Sequence, residues 1–186
     1  LGFNAGSAGA ADALAATAAF NTILAAAAAA VGWTAVEWIE RKRPTLLGLL
    51  SGVVGGLVAI TPAAGFVDPK GAFWIGLIAG PACYAGAVWL KHALKYDDSL
   101  DAFGVHGIGG IVGALLTGVF ATTTVNALSD GATVWKQAVG LAGVIVWSAF
   151  GTFVVLMICR FTTGLRVTRD QEVEGLDYTQ HGEAIH

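Results

Sequence analysis

Charge is what this sequence has least of. Lysine, arginine, aspartate and glutamate together make up 12% of its 186 residues, about half the roughly 25% of an average soluble domain. A chain so poor in charge cannot present most of its surface to water. Its net charge is −3, and no basic stripe exists to grip phosphates, so nucleic acid is excluded as a partner. Cysteine is scarce as well. Cys83 and Cys159 each sit inside an apolar run, which excludes a disulfide framework and leaves neither thiol with metal-ligand company. No nucleophile–base set and no cluster of metal ligands appears, so neither an enzyme nor a cofactor or metal site is expected. The sequence shows no low-complexity tail and no short-period repeat. It opens on apolar residues with no starting Met and no basic stretch ahead of them. That predicts no signal peptide, and a chain that begins partway along a helix.

What the sequence has instead is long apolar runs. A bilayer core about 30 Å thick needs about 20 mostly apolar residues per helix. No Asp, Glu, Lys or Arg interrupts the stretch between Asp12 and Glu37, nor Pro44–Val67, Gly71–Leu90, Ala102–Ser129 or Gln137–Cys159. These predict five full membrane spans, with residues 1–11 as the end of a sixth. A buried core helix could imitate one such run but not five in succession. Eight of the ten basic residues fall in alternate connections: Arg41, Lys42 and Arg43, then Lys91 and Lys95, then Arg160, Arg166 and Arg169. Only Lys70 and Lys136 lie on the other side. Basic residues accumulate in cytoplasmic loops, so the tail is expected in the cytoplasm and Leu1 near the outer face. Small residues four apart, Gly52 with Gly56, Gly76 with Gly80 and Gly109 with Gly113, predict helices in close contact. The acidic run Asp97-Asp98-Ser99-Leu100-Asp101 is placed to cap the fourth span, whose N-terminal dipole favours negative charge.

Against this background a few polar residues stand out. His106 lies near the start of the fourth span, in Phe103-Gly104-Val105-His106-Gly107-Ile108-Gly109-Gly110. An ionisable side chain in a membrane helix is costly and points to function, although a histidine hydrogen-bonded to a neighbouring helix for packing alone fits the same position. Its glycine neighbours let another group approach the imidazole. His92 falls at a helix end, and His181 and His186 in the polar tail, where solvated surface explains them. Near the start, Asn4 and Ser7 belong to Phe3-Asn4-Ala5-Gly6-Ser7, and Asn21 lies within the next span. Phe3 and Ser7 are four apart, so a continuous helix puts ring and hydroxyl on one face. There they can hold a small cation by hydrogen bonding and by cation–π attraction of about 0.5–2 kcal/mol, or they can serve ordinary helix packing.

These pieces occur together. Gly2-Phe3-Asn4-Ala5-Gly6-Ser7, Thr61-Pro62-Ala63-Ala64-Gly65, Phe103-Gly104-Val105-His106-Gly107, Gly164-Leu165-Arg166-Val167 and Glu174-Gly175-Leu176-Asp177 with His181-Gly182-Glu183 run in the order of one family. The chain closely resembles the ammonium transporter/Rhesus family, in its bacterial branch and over its C-terminal half. The resemblance implies an all-α fold: a polytopic membrane helix bundle, the second inverted repeat plus the final helix of an eleven-helix channel-like transporter. Residues 1–163 would form the bundle and 164–186 a cytoplasmic tail. It further implies ammonium recruited at an outer vestibule, deprotonated, and carried as ammonia through a hydrophobic pore of the cytoplasmic membrane. Ser7 matches the vestibule serine that hydrogen-bonds the cation, Phe3 one of two stacked phenylalanines below it, and His106 one of two paired pore histidines. Asp101 and Phe103 match positions near the inner mouth. The second phenylalanine, the other histidine, the vestibule aromatics and a supporting aspartate belong to the family's first half, so residues 1–186 alone are not expected to conduct. A homotrimer in the lipid bilayer, and a PII-type nitrogen-regulatory protein at its cytoplasmic face, are the implied partners. The alternative is an ammonium sensor with little transport.

Overall fold

The computed structural model describes residues 1–183. Among them the chain forms eight α-helices: α1 (Gly2–Gly6), α2 (Ala13–Arg41), α3 (Leu46–Ile60), α4 (Pro69–Tyr84), α5 (Lys91–Leu94), α6 (Ile108–Phe120), α7 (Val134–Thr162) and α8 (Arg169–Glu174). A π-turn at Ala85–Leu90 joins α4 to α5 without a break, a second at Phe103–Gly107 opens α6, and a third covers Asp177–His181. The fold is all-α, as its apolar runs predict. It divides into two compact units, residues 1–141 and 142–186, with α7 passing from the first into the second.

In the first unit α2 is the central element. Asp12 starts it by accepting a hydrogen bond from the Ala15 amide at 2.9 Å, and its 29 residues rise about 44 Å at 1.5 Å each. Helices in lipid gain no hydrophobic drive towards one another, so close van der Waals contact through small residues must hold them. Alanine-rich α2 offers such a surface on two sides. Gly52 and Gly56 of α3 meet one side: a Cβ on Gly52 would stand 2.7 Å from Trp33 Cβ, and one on Gly56 2.7 Å from the Ala25 carbonyl oxygen. Gly76 and Gly80 of α4 press on Ala25 and Ala29 more closely still. Gly109 and Gly113 seat α6 against Cys83 and Ala59. All three glycine pairs are therefore helix–helix seams.

Among the described residues four helical stretches are long and apolar enough to cross a membrane: Ala13–Arg41, Pro69–Leu94, Phe103–Phe120 and Val134–Thr162. The Pro44–Val67 run differs from the expected full span. Only Leu46–Ile60 is helical, 15 residues or about 22 Å, and residues 61–66 turn, with Thr61 exposed and Ala63 and Ala64 in the interior. Ala63, Ala64 and Val67 there are fully or almost fully buried. Side chains and one backbone amide from other segments account for the turn, because they capture the carbonyls that a continuing helix would use. Asn21 Nδ2 donates to the Ala64 and Val67 carbonyls at 2.9 and 2.8 Å. Asn126 Nδ2 donates to Gly65, and the Thr122 amide to Phe66 at 2.8 Å. The Ala102–Ser129 run likewise stops being helical at Phe120, where Ala121 becomes extended and pairs with Val67.

The expected acidic cap forms. Asp98 accepts from the Ala102 and Phe103 amides at 2.8 and 2.9 Å, while Asp101 pairs with Lys91. No residue of α7 is buried among the described residues. Beyond it, α8 carries a capping box between Thr168 and Gln171, and Arg166 pairs with Glu172 at 2.9 Å. His181 is exposed; His186 lies outside the described residues.

Candidate functional site

Phe3 and Ser7 sit on and just after the single turn of α1. The Ser7 hydroxyl donates to the Phe3 carbonyl at 2.8 Å, which fixes hydroxyl and aromatic residue to the same short helix. Both are exposed, Phe3 at 75% of its surface. Between them Asn4 turns inward, buried, and donates to the Thr22 hydroxyl at 3.0 Å. That bond ties α1 to α2. Asn4 and Ser7 also line a cleft of about 280 Å³ whose far wall includes Thr61, Gly65, Phe66 and Asn126. The turn after α3 thus forms part of the surface beside Ser7, and Asn21, fully buried behind that turn, holds it in place.

His106 lies in the π-turn that opens α6. Its span is apolar, yet the residue is exposed on the surface of this chain, with Gly104 and Val105 buried before it and Gly109 buried after it. The imidazole therefore faces away from the first unit's own core. Phe103 shields the backbone beside it, since a Cβ on Gly107 would stand 2.7 Å from the Phe103 ring. Tyr96 meets that ring edge-on, with centroids 5.9 Å apart. His92 is exposed at the end of its helix, as its position predicts. Cys83 and Cys159 are both free. Among the described residues no group of three His, Cys, Asp or Glu side chains gathers.

Residues 1–185 match the model of the Ammonium Transporter Family. The chain belongs to that family. It is 49% identical over 190 residues to the ammonium transporter of Bacillus subtilis, covering 98% of this chain and 47% of that protein. To the ammonium transporter of Aquifex aeolicus it is 46% identical, covering 98% and 44%. Among solved structures, Saccharomyces cerevisiae Mep2 superposes with a TM-score of 0.81 at 35% identity, covering 90% of this chain and 40% of that one. A structure described as a sensor Amt protein superposes at 0.85 and 33% identity, covering 96% and 45%. The chain thus spans about half the length of the ammonium transporters it matches.

Three polar residues escaped the sequence reading: Thr22 behind Asn4, Asn126 in the cleft wall, and Glu37. Glu37 marks the end of an uncharged run and reads as a loop boundary, but its side chain is buried at 2% exposure. It accepts from the Thr45 hydroxyl at 2.9 Å and the Thr45 amide at 3.2 Å, with Arg41 at 3.9 Å. Thr45 in turn caps α3 by accepting from the Gly48 amide. A carboxylate at the helix N-terminus is favoured by the aligned peptide dipoles. The legible signal was spacing: Trp33 and Glu37 are four apart, one face of α2, and Trp33 is buried.

Proposed function

We propose that this chain supplies part of the wall of an ammonium-conducting path across the cytoplasmic membrane. The match to the family through residues 1–185, which takes in Phe3, Ser7 and His106, carries the proposal. The geometry supports it, because each of the three is exposed on the chain's own surface although each sits in an apolar segment. In this reading Ser7 accepts a hydrogen bond from ammonium at an outer vestibule, and Phe3 closes the vestibule from the pore. The ion loses its proton and ammonia passes His106. Carrying a bare cation through hydrocarbon costs from about 3 to above 10 kcal/mol; neutral ammonia avoids most of that cost. A neutral imidazole offers one donor and one acceptor, which suits ammonia and does little for a metal cation.

The split of basic residues supports a cytoplasmic tail, with residues 1–163 as the membrane bundle and 164–186 inside the cell. A homotrimer, with a PII-type regulatory protein at the inner face, completes the proposed assembly. The likeness to a sensor Amt protein favours one second reading, ammonium binding with little flux.

Liposome flux and membrane current of the intact protein test both. Wild type should pass ammonium and exclude potassium. His106→Ala, which opens space and removes both polar sites, should weaken that exclusion, and His106→Glu should differ from Ala. Equal selectivity in all three would show that His106 only packs. Saturable ammonium binding without flux would favour the sensor.

A further inference from the structure

Two π-turns meet beside His106. One, Ala85–Leu90, interrupts the helix running from α4 into α5; the other, Phe103–Gly107, carries the histidine. A π-turn takes one residue more than an α-turn and gathers at functional sites. Its presence also sets direction: one residue corresponds to a rotation of about 100° in an α-helix, so losing the π-turn would turn His106 relative to α6.

The contacts that hold these turns are specific. Backbone meets backbone at Gly86 and Gly104. A Cβ on Gly104 would stand 2.5 Å from both the amide nitrogen and the Cα of Ala87, and one on Gly86 3.0 Å from the Gly104 Cα. Next to this crossing the Cys83 thiol donates to the Val105 carbonyl, with Sγ 3.6 Å from the oxygen. Cys83 is fully buried, and α3 and α6 confine its sulfur: a Cβ on Gly55 or Gly109 would come within 3.0 or 3.1 Å of it. The sulfur thus lies at the junction of α3, α4 and α6. Val105 is buried, and the next residue along is the exposed His106.

We propose that the paired π-turns form a positioning device for His106, in which the Gly86–Gly104 crossing sets the rotation of the turn and Cys83 fixes it through the Val105 carbonyl. Cys83 is then a positioning residue for selectivity. It touches no substrate and acts one peptide away from the imidazole. This rests on the pore role proposed for His106.

The test compares Cys83→Ala, which removes the thiol without adding volume, with Cys83→Ser, which keeps a donor for the carbonyl. Cys159→Ala is the control and His106→Ala the reference. The intact protein is assayed for its ammonium-to-potassium flux ratio and for the ring-nitrogen resonances of isotope-labelled histidine. Cys83→Ala should lower the ratio several-fold, in the same direction as His106→Ala, and should move the His106 resonances. Cys83→Ser should recover most of both, and Cys159→Ala should match wild type. A wild-type ratio and unmoved resonances in Cys83→Ala, with His106→Ala still altered, would overturn the device and leave the pore role standing. An unaltered ratio in His106→Ala would remove both.

Discussion

Asn21 shows what one buried amide does in an apolar chain. Unpaired backbone carbonyls are expensive in hydrocarbon, and the turn after α3 leaves two, at Ala64 and Val67, for the Asn21 amide to satisfy. Asn21→Leu should cost about 1–3 kcal/mol for each abandoned carbonyl, seen as a lower melting temperature in detergent. An unchanged melting temperature would mean that the turn holds itself. Phe3 makes a contrasting case. Its ring is mostly exposed, so Phe3→Ala should leave the melting temperature close to wild type while changing ammonium flux or selectivity. Unaltered methylammonium transport would remove it from the path. The sequence shows Ser7 and His106 as polar exceptions in apolar segments, and both are exposed on the chain's own surface. Glu37 was hidden because a carboxylate at the end of an apolar run looks the same whether it faces water or accepts from Thr45 within the fold.

At the scale of helices, glycine spacing proved informative, because a seam between α-helices needs small residues on one face, four apart, and nothing else. What the spacing cannot separate is a glycine in a seam from one beside open space. Gly80 presses on Ala29, whereas nothing lies within 4 Å of a Cβ placed on Gly151 in α7. Gly80→Ala should therefore destabilise the first unit by about 1–3 kcal/mol, the usual cost of overpacking. In a synthetic α7 peptide in detergent micelles, Gly151→Ala should raise helix stability by up to about 1 kcal/mol through propensity alone. Thermal unfolding reads the first and circular dichroism the second; comparable losses in both would contradict the seam. Helix lengths were less legible than helix positions. Apolar composition is the same in α3 and in the turn that follows it, and only residues 43 to 63 positions away decide where the helix stops. The π-turns are invisible for the same reason: they are set by the Gly86–Gly104 crossing rather than by local preference.

For the whole molecule, the strongest expectation from sequence is orientation. Single cysteines introduced at Arg43 and Asp98 should react with a membrane-impermeant thiol reagent only from the cytoplasmic side, and those at Asp68 and Asp130 only from outside. Labelling of Asp98 from outside would reverse the topology. The large apolar side chains left exposed, among them Trp38, Leu46, Trp89 and Trp147, fit a molecule surrounded by lipid or by further protein.

The buried turn after α3 also bears on the order in which the chain is made. Two of its stitches come from Asn126 and Ser129, which reach back 61 and 63 positions to the Gly65 and Phe66 carbonyls. During synthesis α3 and α4 are complete long before those partners exist, so the turn must wait with carbonyls open until α6 has been threaded and the chain beyond it emerges. Long-range closures of this kind are slow, and the last piece of wall beside Ser7 is consequently finished late in assembly.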